Sequence, residues 1–555
     1  MRKIISAVLI AATLVSCTAS CKPAGSSDET QSEEYTTSYE PDIKKPKNPD
    51  KTLFQKTQEE YEGGNLGCTG LTLLAKYNKG VAYNINSYKD EENKIYYLFV
   101  PCRADVGSIT FTVTHRDGSE SGPYTANFSD DRVSENEKVI STTNEYTIKV
   151  MQSNLPSIMI EIDESYGTVD AMHADEAHET FAYGDMVATV TDYMALNTGW
   201  KTRYESVDKK ADSYCSMKMR GRGNSTWGYS KKPYQISLEN SIDLFGMGKS
   251  KKYVLLANDR DSSRIRTQLA LGMGISSGIP YTSEHRQVDL FLNGEYLGMY
   301  LIAEKIEVGE NRVEIDQAED VLYEKDNFAT LEKSFTFQTE HVHDMERGFR
   351  VHSPEIEEAM PEYIEKVQIA ETVLYGSNDE MFEKFFDLDS WARMYLLQLY
   401  TMNSDAYYGS FYFYYDNTDG KMYACAPWDF DWSMGVSWGN SDFYVNPMSY
   451  DIDHIEWIKP MLTHENFIKK VLEVYYEGGV KEIIEGMPGL VDEYAKENRK
   501  SALMDAIVND VFYYPEDVTE YDDIIAYVKG VCENRVVFVE QKMESYAAKY
   551  GYVVN

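Results

Sequence analysis

The sequence predicts an α+β fold with two lobes, in which a β-rich part precedes a helical part. Strand-like runs that alternate apolar and polar residues continue from Leu155 to about residue 310. After about residue 355 the apolar residues recur at helical spacing, as in "EEAMPEYIEKVQIAETVLYG" and "LDSWARMYLLQLYTMN". Strands followed by helices are typical of α+β folds. Because 555 residues are too many for one ordinary core, we expect two or more domains.

The N-terminus has the features of an export signal. Arg2 and Lys3 precede the apolar run "IISAVLIAATLVS", which is too short for an ordinary membrane-spanning helix and fits a signal peptide. The run ends in "LVSC", and small residues before a cysteine resemble the lipobox of bacterial lipoproteins, in which the cysteine is lipidated. We therefore expect residues 1–21 to be a signal peptide with lipobox, Cys17 to carry the lipid, and the protein to be extracytoplasmic and anchored to the bacterial membrane. Ordinary signal cleavage beside an incidental Cys17 is the alternative.

Composition divides the rest of the chain. The composition of residues 22–60 predicts a disordered linker, because the segment is polar, rich in Ser, Thr, Glu and Pro, and lacks apolar periodicity. Strand-like runs such as "KIYYLFVPC" and "NEYTIKVMQ" predict a small β-sandwich domain over residues 61–153. We expect this domain to serve as a spacer or binding module. If exported, Cys68 and Cys102 are candidates for a disulfide there. Residues 154–555 form the larger, second domain.

Charge and cysteine content exclude some functions. The formal net charge of −37 repels nucleic acid and anionic membrane surfaces, so we expect no nucleic-acid partner and membrane contact through the lipid anchor only. The seven cysteines form no CxxC pair and no Cys/His cluster with zinc spacing.

The first chemical motif is the basic segment "RGRGNSTWGYSKKPYQISLE". Gly221 and Gly223 permit a tight loop whose amides approach an anion closely, and Arg222, Lys231 and Lys232 add positive charge. This combination suits phosphate binding, although it is neither a Walker A loop nor a GxGxxG motif. A charged hairpin without a ligand is the alternative.

The second motif is a hairpin that delivers two aspartates. A helix ends near "MNSD", "DNTDG" forms the turn, and the hairpin leads to "PWDFD", so that Asp405 lies at one end and Asp429 and Asp431 at the other. Protein kinases place a catalytic aspartate and a Mg²⁺-binding aspartate in this way. In the alternative, Asp429 caps a helix and Asp431 is a surface residue. A glycosidase pair is disfavoured, because residues at i and i+2 of an extended segment point to opposite faces.

Two further segments add polar side chains. "LLANDRDSSRIRTQLA" places Arg266 on a helix, where it faces a phosphate or pairs with an acid. Glu304 ends the strand "GMYLIAEKIE", and an acid inside an apolar run usually has a partner, for which a lysine of the basic segment is our candidate. The preceding Asn293-Gly294 predicts a tight hairpin.

Four segments in this order resemble the CotH kinase family. They are "RGRGNSTWGYSKKPYQI", "LLANDRDSSRIRTQLA", "VDLFLNGEYLGMYLIAEKI" and "PWDFDWSMG", and the resemblance covers roughly residues 155–550. One such motif is a weak indication, whereas four in order are specific. Members are secreted or surface proteins with an atypical kinase-like fold that binds ATP and divalent metal, and some phosphorylate serines of partner proteins. The resemblance implies an atypical protein-kinase-like domain with a β-rich N-lobe and a helical C-lobe.

The resemblance also implies residue roles. Asp405 becomes the catalytic aspartate, Asp429 the ligand of Mg²⁺ or Mn²⁺ with Asp431 assisting, and Lys232 the phosphate lysine. Arg222, Glu304 and Arg266 are implied nucleotide-pocket residues. The substrates implied are ATP and a Ser or Thr of a protein on or outside the cell.

The chain departs from ordinary protein kinases at two points. Ser410 stands where they have an asparagine for a second metal, and "NSD" replaces "HRD". A serine hydroxyl is a poorer metal ligand, so a catalytically weak or inactive surface scaffold that retains the fold stays open as an alternative.

Overall fold

The computed structural model describes most of the chain beyond residue 71. The described residues are 72–76, 82–90, 92–101, 108–114, 120–127, 137–141, 147–189, 214–326, 336–343, 347–354, 361–403, 405–406, 409–436, 450–511 and 518–554. The predictions for the signal peptide, Cys17, the linker and the Cys68–Cys102 pair lie outside them. No helix of this described part is long and apolar enough to cross a membrane.

The described residues form a mixed α+β architecture, as predicted. The strands are β1 (Thr72–Lys76), β2 (Ala82–Asn86), β3 (Tyr88–Asp90), β4 (Ile95–Val100), β5 (Ser108–Thr114), β6 (Glu120–Asn127), β7 (Glu137–Ser141), β8 (Thr147–Gln152), β9 (Ser157–Ile162), β10 (Ala182–Thr189), β11 (Tyr214–Gly221), β12 (Tyr234–Asp243), β13 (Lys249–Leu256), β14 (His285–Leu292), β15 (Glu295–Glu304), β16 (Val321–Asp326), β17 (Thr336–Phe337), β18 (Gly348–Ser353), β19 (Phe411–Asp416) and β20 (Lys421–Ala424). The helices are α1 (Val169–His173), α2 (Arg266–Ser276), α3 (Pro361–Leu374), α4 (Asp379–Phe385), α5 (Leu388–Thr401), α6 (Ile458–Met461), α7 (Glu465–Tyr476), α8 (Val480–Val508) and α9 (Tyr521–Tyr550).

Strands β9 to β15 close into a barrel in the order β10-β11-β12-β13-β15-β14-β9. All neighbours are antiparallel except β14 and β9, which pair in parallel and close the barrel. Closure removes exposed sheet edges, and the inward side chains form one apolar core. The β14–β15 hairpin turns at Asn293 and Gly294 with φ of 50° and 83°, so the predicted tight hairpin is confirmed.

A five-stranded sheet and the helices form the second half of the architecture. The sheet has the order β17-β18-β16-β19-β20, and one face packs on the helical core. The rings of Trp391 and Phe413 lie 5.8 and 5.2 Å from that of Trp457. Asp387 caps α5 by accepting from the Ser390 amide, and the residue after α5 is Met402, whose φ is 55°. This left-handed residue turns the chain toward the segment that carries Asp405.

The strands before residue 153 form three small sheets. They are β1-β2, β5-β6, and β3-β4-β8-β7, in which β4 and β8 are parallel. The Asn86 amide donates to the Gly294 carbonyl over 2.8 Å, and the rings of Phe99 and Tyr296 lie 4.6 Å apart, so this part contacts the β14–β15 hairpin. The β-sandwich, the domain boundaries and the two kinase-like lobes stay predictions.

Candidate active site

A cavity of about 990 Å³ lies where four parts of the chain meet. The loop after β11 and the turn after β13 provide one side of it. The other side comes from β16 and β18 of the five-stranded sheet and from the segments before and after the β19–β20 hairpin. Segments that are far apart in sequence and rich in charge therefore share one concave site, which is the usual form of a ligand site.

The glycines of the basic segment permit the loop to fold tightly. A Cβ on Gly221 would lie 2.6 Å from the ring of Trp227, and a Cβ on Gly223 would lie 2.1 Å from Oγ1 of Thr226. Gly223 also has a φ of 88°, which glycine adopts without strain. The loop therefore closes over the buried indole and presents Arg222 to the cavity.

Arg222 faces the acidic side of the cavity. Burial lowers the pKa of its guanidinium, and the attraction of Asp429, Tyr412, Asp431 and Glu324 opposes that shift. The guanidinium lies 5.8 Å from the Trp428 ring. The structure thus brings the predicted anion-binding arginine beside the predicted metal-binding aspartates.

Three carboxyl groups, those of Asp405, Asp429 and Asp431, lie together in the cavity wall. Burial, with a smaller contribution from Asp429, raises the pKa of Asp405 to about 7. Burial raises the pKa of Asp431 well above its usual value, and the charge of Asp429 and a hydrogen bond between the two carboxyl groups add to the shift. Neighbouring carboxylates repel each other when both are ionised, and a bound cation would relieve this repulsion.

The carboxyl pair fits a magnesium-type ion held together with a nucleotide. Among the described residues, no group of three or more His, Cys, Asp or Glu side chains is arranged to hold a metal ion unaided. Mg²⁺ usually binds one or two carboxylates together with waters and substrate phosphates, so Asp429 and Asp431 suffice as its protein ligands. Ser410 lies in the same wall, with a φ of 50°.

Asn403 connects the two ends of the acidic cluster. Its Nδ2 donates to the carbonyl of Asp429 over 3.1 Å, and its Oδ1 accepts from the amide of Asp405 over 3.1 Å. Asn403 is 1% exposed, and Asp429 has a φ of 65°, which a non-glycine residue rarely adopts. The buried amide therefore fixes the unusual backbone of the segment that carries Asp429 and Asp431.

Three sequence-predicted residues do not line the cavity. Arg266 is fully buried in an ion pair with Asp261, and its Nε donates to the Met434 carbonyl over 3.3 Å, so it supports the loop after "PWDFD". The ammonium of Lys232 donates a hydrogen bond to the Trp227 carbonyl. Their proposed contacts with a nucleotide gain no support from this geometry.

Glu304 is the third of these residues. It forms an ion pair with Arg312, so our expectation of a lysine partner is wrong. Its other carboxylate oxygen accepts from the amide of Glu284 over 2.9 Å. Arg312 follows Glu304 by eight positions, beyond the end of β15, and neither residue lines the cavity.

The sequence reasoning missed several cavity residues. Lys231, rather than its neighbour Lys232, lines the cavity. Glu324 and Arg350 enter it from β16 and β18, and Glu324 accepts from the Tyr412 hydroxyl over 2.7 Å. Asn258 lies in the turn after β13, and its Nδ2 has no hydrogen-bond partner among the described residues. The charged residues inside the buried strand "VLYEKD" were the feature of the sequence that could have indicated that β16 contributes to the site.

The chain matches a protein-family model. The model described as "CotH kinase protein" matches residues 219–539, from the basic segment to α9. A comparison with curated proteins finds no match.

Proposed function

Because this chain belongs to the CotH kinase family, we propose that it is a surface-anchored protein kinase. It transfers the γ-phosphate of ATP to a Ser or Thr of a partner protein outside the cytoplasm. The observation that carries this proposal is the shared cavity of about 990 Å³, in which Arg222 faces Asp429 and Asp431 and which Asp405 also lines. An arginine side chain beside clustered carboxyl groups suits the binding of a triphosphate and its metal ion.

Asp405 accepts the proton of the attacking hydroxyl. A group with a pKa of about 7 is a suitable base near neutral pH, because it is substantially ionised and still takes up a proton. The hydroxyl oxygen forms a bond to the γ-phosphorus while the bond from this phosphorus to the bridging oxygen of ADP breaks. The proton moves to Asp405, and ADP leaves with the released electron pair.

Asp429 and Asp431 would hold Mg²⁺ or Mn²⁺, which supplies charge neutralisation on the phosphates when bound. Arg222 binds phosphate oxygens through its planar fork of donors. Lys231 adds a second positive charge in the same wall. The N-terminal export features and Cys17 support the placement of this chemistry outside the cytoplasm, on a membrane anchor.

Transfer is tested with ATP labelled at the γ-phosphate and dephosphorylated casein as a general Ser/Thr acceptor, in Mg²⁺ or Mn²⁺ and again in EDTA. We expect metal-dependent label on Ser or Thr of casein or of the protein itself. A protein that binds ATP and transfers nothing to either acceptor contradicts the kinase activity.

A further inference from the structure

Asp505, on the long helix α8, is a buried acid that no sequence motif indicated. It is fully buried and accepts hydrogen bonds from three parts of the chain outside α8, and from the side-chain amide of Asn509 just after this helix, over 3.0 Å. Lys231 donates over 2.7 Å, the Nε of Arg264 over 2.8 Å, and the backbone amide of Met299 over 3.0 Å. Burial opposes ionisation, but Arg264 and Lys231 hold the pKa of Asp505 below its usual value, so it is a carboxylate.

The first group that Asp505 fixes is the ammonium of Lys231. This ammonium donates to Asp505 and to the Met299 carbonyl, and it lies 4.6 Å from the centre of the Tyr300 ring. A lysine ammonium has three donors. Two are therefore committed to the protein, and the side chain is only 1% exposed, so Asp505 and Met299 fix the place of this positive charge at the wall of the cavity.

The second group is the turn that follows β13. Arg264 binds Asp505 through Nε and a terminal nitrogen, and its other terminal nitrogen donates to the carbonyls of Asn258 over 2.6 Å and Asp261 over 2.9 Å. Asn258 has a φ of 49° and lines the cavity. One carboxylate thus holds two neighbouring parts of the wall in place.

We propose that Asp505 is a positioning residue for the phosphates of the nucleotide. From α8 it holds Lys231 and residues 258–264 in the geometry that receives the triphosphate, although it does not line the cavity itself. This inference rests on the proposed function. It makes the C-terminal helical region a part of the nucleotide site.

The alternative is that Asp505 only stabilises the fold, and pH dependence separates the two roles. Burial lowers the pKa of Lys231 to about 8, in spite of the attraction of Asp505. The charged or titratable groups that face Lys231 are Asp505, Arg264, Asp259 and Tyr300. Since phosphate binding needs the charged ammonium, ATP affinity should fall as pH rises through this range. In Asp505→Asn the counter-charge is lost, so the fall should begin at lower pH.

The test is calorimetric titration of the full chain with ATP and Mg²⁺ from pH 6 to 9.5, and with adenosine as a probe without phosphates. We expect Asp505→Asn to weaken ATP binding about 10- to 100-fold, to leave adenosine binding unchanged, and to shift the alkaline midpoint to lower pH. Ser501→Ala is the matched control. It removes a buried hydrogen bond to Asp289 from the same helix, one turn away, without touching Lys231 or Arg264.

The outcomes separate failure of the proposed function from failure of the positioning role. If the unaltered protein binds no ATP, the proposed function and this inference both fail. If it binds ATP and Asp505→Asn keeps the affinity and midpoint, or loses ATP and adenosine binding equally, only the positioning role fails. Should Asp505→Asn not fold, Lys231→Met replaces it, because it removes the cation that Asp505 is proposed to position. A Lys231→Met protein with unchanged ATP affinity overturns the inference.

Discussion

Asn403 donates its side-chain amide to the main-chain carbonyl of Asp429, across the space between the end of α5 and the segment after β20. The same side chain accepts from the amide of Asp405. The two aspartates to which we assign catalysis and metal binding are therefore held by one buried residue. Two hydrogen bonds from one side chain to the main chain thus set the separation of the two segments.

Asn403→Ala should slow transfer about 10- to 100-fold, because it frees the backbone of both aspartates and misplaces the reacting groups. The rate constant at saturating ATP is the measurement, with the thermal midpoint as a check on folding. Tyr450→Phe is the control, because it removes the hydrogen bond from the Tyr450 hydroxyl to the main-chain carbonyl of Asn403, over 3.4 Å, and leaves the Asn403 side chain in place. Equal rates in Asn403→Ala and the unaltered protein would show that Asn403 does not position the two aspartates.

Asp405→Ala should retain ATP binding and lose transfer, because the proton of the acceptor hydroxyl then has no base. Binding is measured by titration and transfer by label on casein. The rate in the unaltered protein should also fall as pH drops below about 7, where Asp405 is protonated. Undiminished transfer by the variant would assign the base to another residue.

Gly223→Ala should weaken ATP binding at least about tenfold. The new methyl would lie 2.1 Å from Thr226 Oγ1 at a φ of 88°, so the basic loop must open and carry Arg222 away from the aspartates. Gly228→Ala is the matched control in the same loop, because a Cβ there meets nothing within 4 Å. If both variants bind ATP alike, the loop geometry does not matter for binding.

The protein should lose stability in acid partly through His285. Burial lowers the pKa of His285 to about 4, and its Nδ1 donates to the Ser283 carbonyl over 3.2 Å. The unfolded chain takes up this proton near pH 6.5, so the contribution of His285 is complete above that pH and is lost progressively as pH falls to about 4. The loss is at most about 3 kcal/mol.

Urea unfolding between pH 7 and 4 measures this loss. In His285→Gln the free energy of unfolding should change less across this interval than in the unaltered protein. Parallel curves for the two proteins would show that His285 does not contribute.

The local parts of the site were predictable from the sequence. Arg222, Asp405, Asp429 and Asp431 line one cavity, and each lies in a loop segment that follows a helix or strand that the sequence pattern predicts. The choice of Lys232 was less successful, because neighbouring residues point to different sides and the sequence does not distinguish which of two lysines faces inward.

The remaining parts depend on tertiary packing. Asp505 lies 241 residues from Arg264 in the chain, and only the docking of α8 on β15 and the turn after β13 brings them together. Glu304 forms its ion pair with Arg312 in place of the expected lysine. Such pairs leave no local pattern, because their members belong to separate elements.

The most direct test of the central claim is titration of the purified protein with ATP in Mg²⁺, then in EDTA, alongside Asp429→Asn. We expect binding that requires the metal and is abolished by Asp429→Asn, while the thermal midpoint shows that the variant is folded. The isosteric amide removes the charge that holds the cation and keeps the shape of the site. Unchanged ATP affinity in Asp429→Asn would contradict the metal assignment. No binding by the unaltered protein in either condition would contradict the nucleotide site and favour a surface scaffold that retains the family fold.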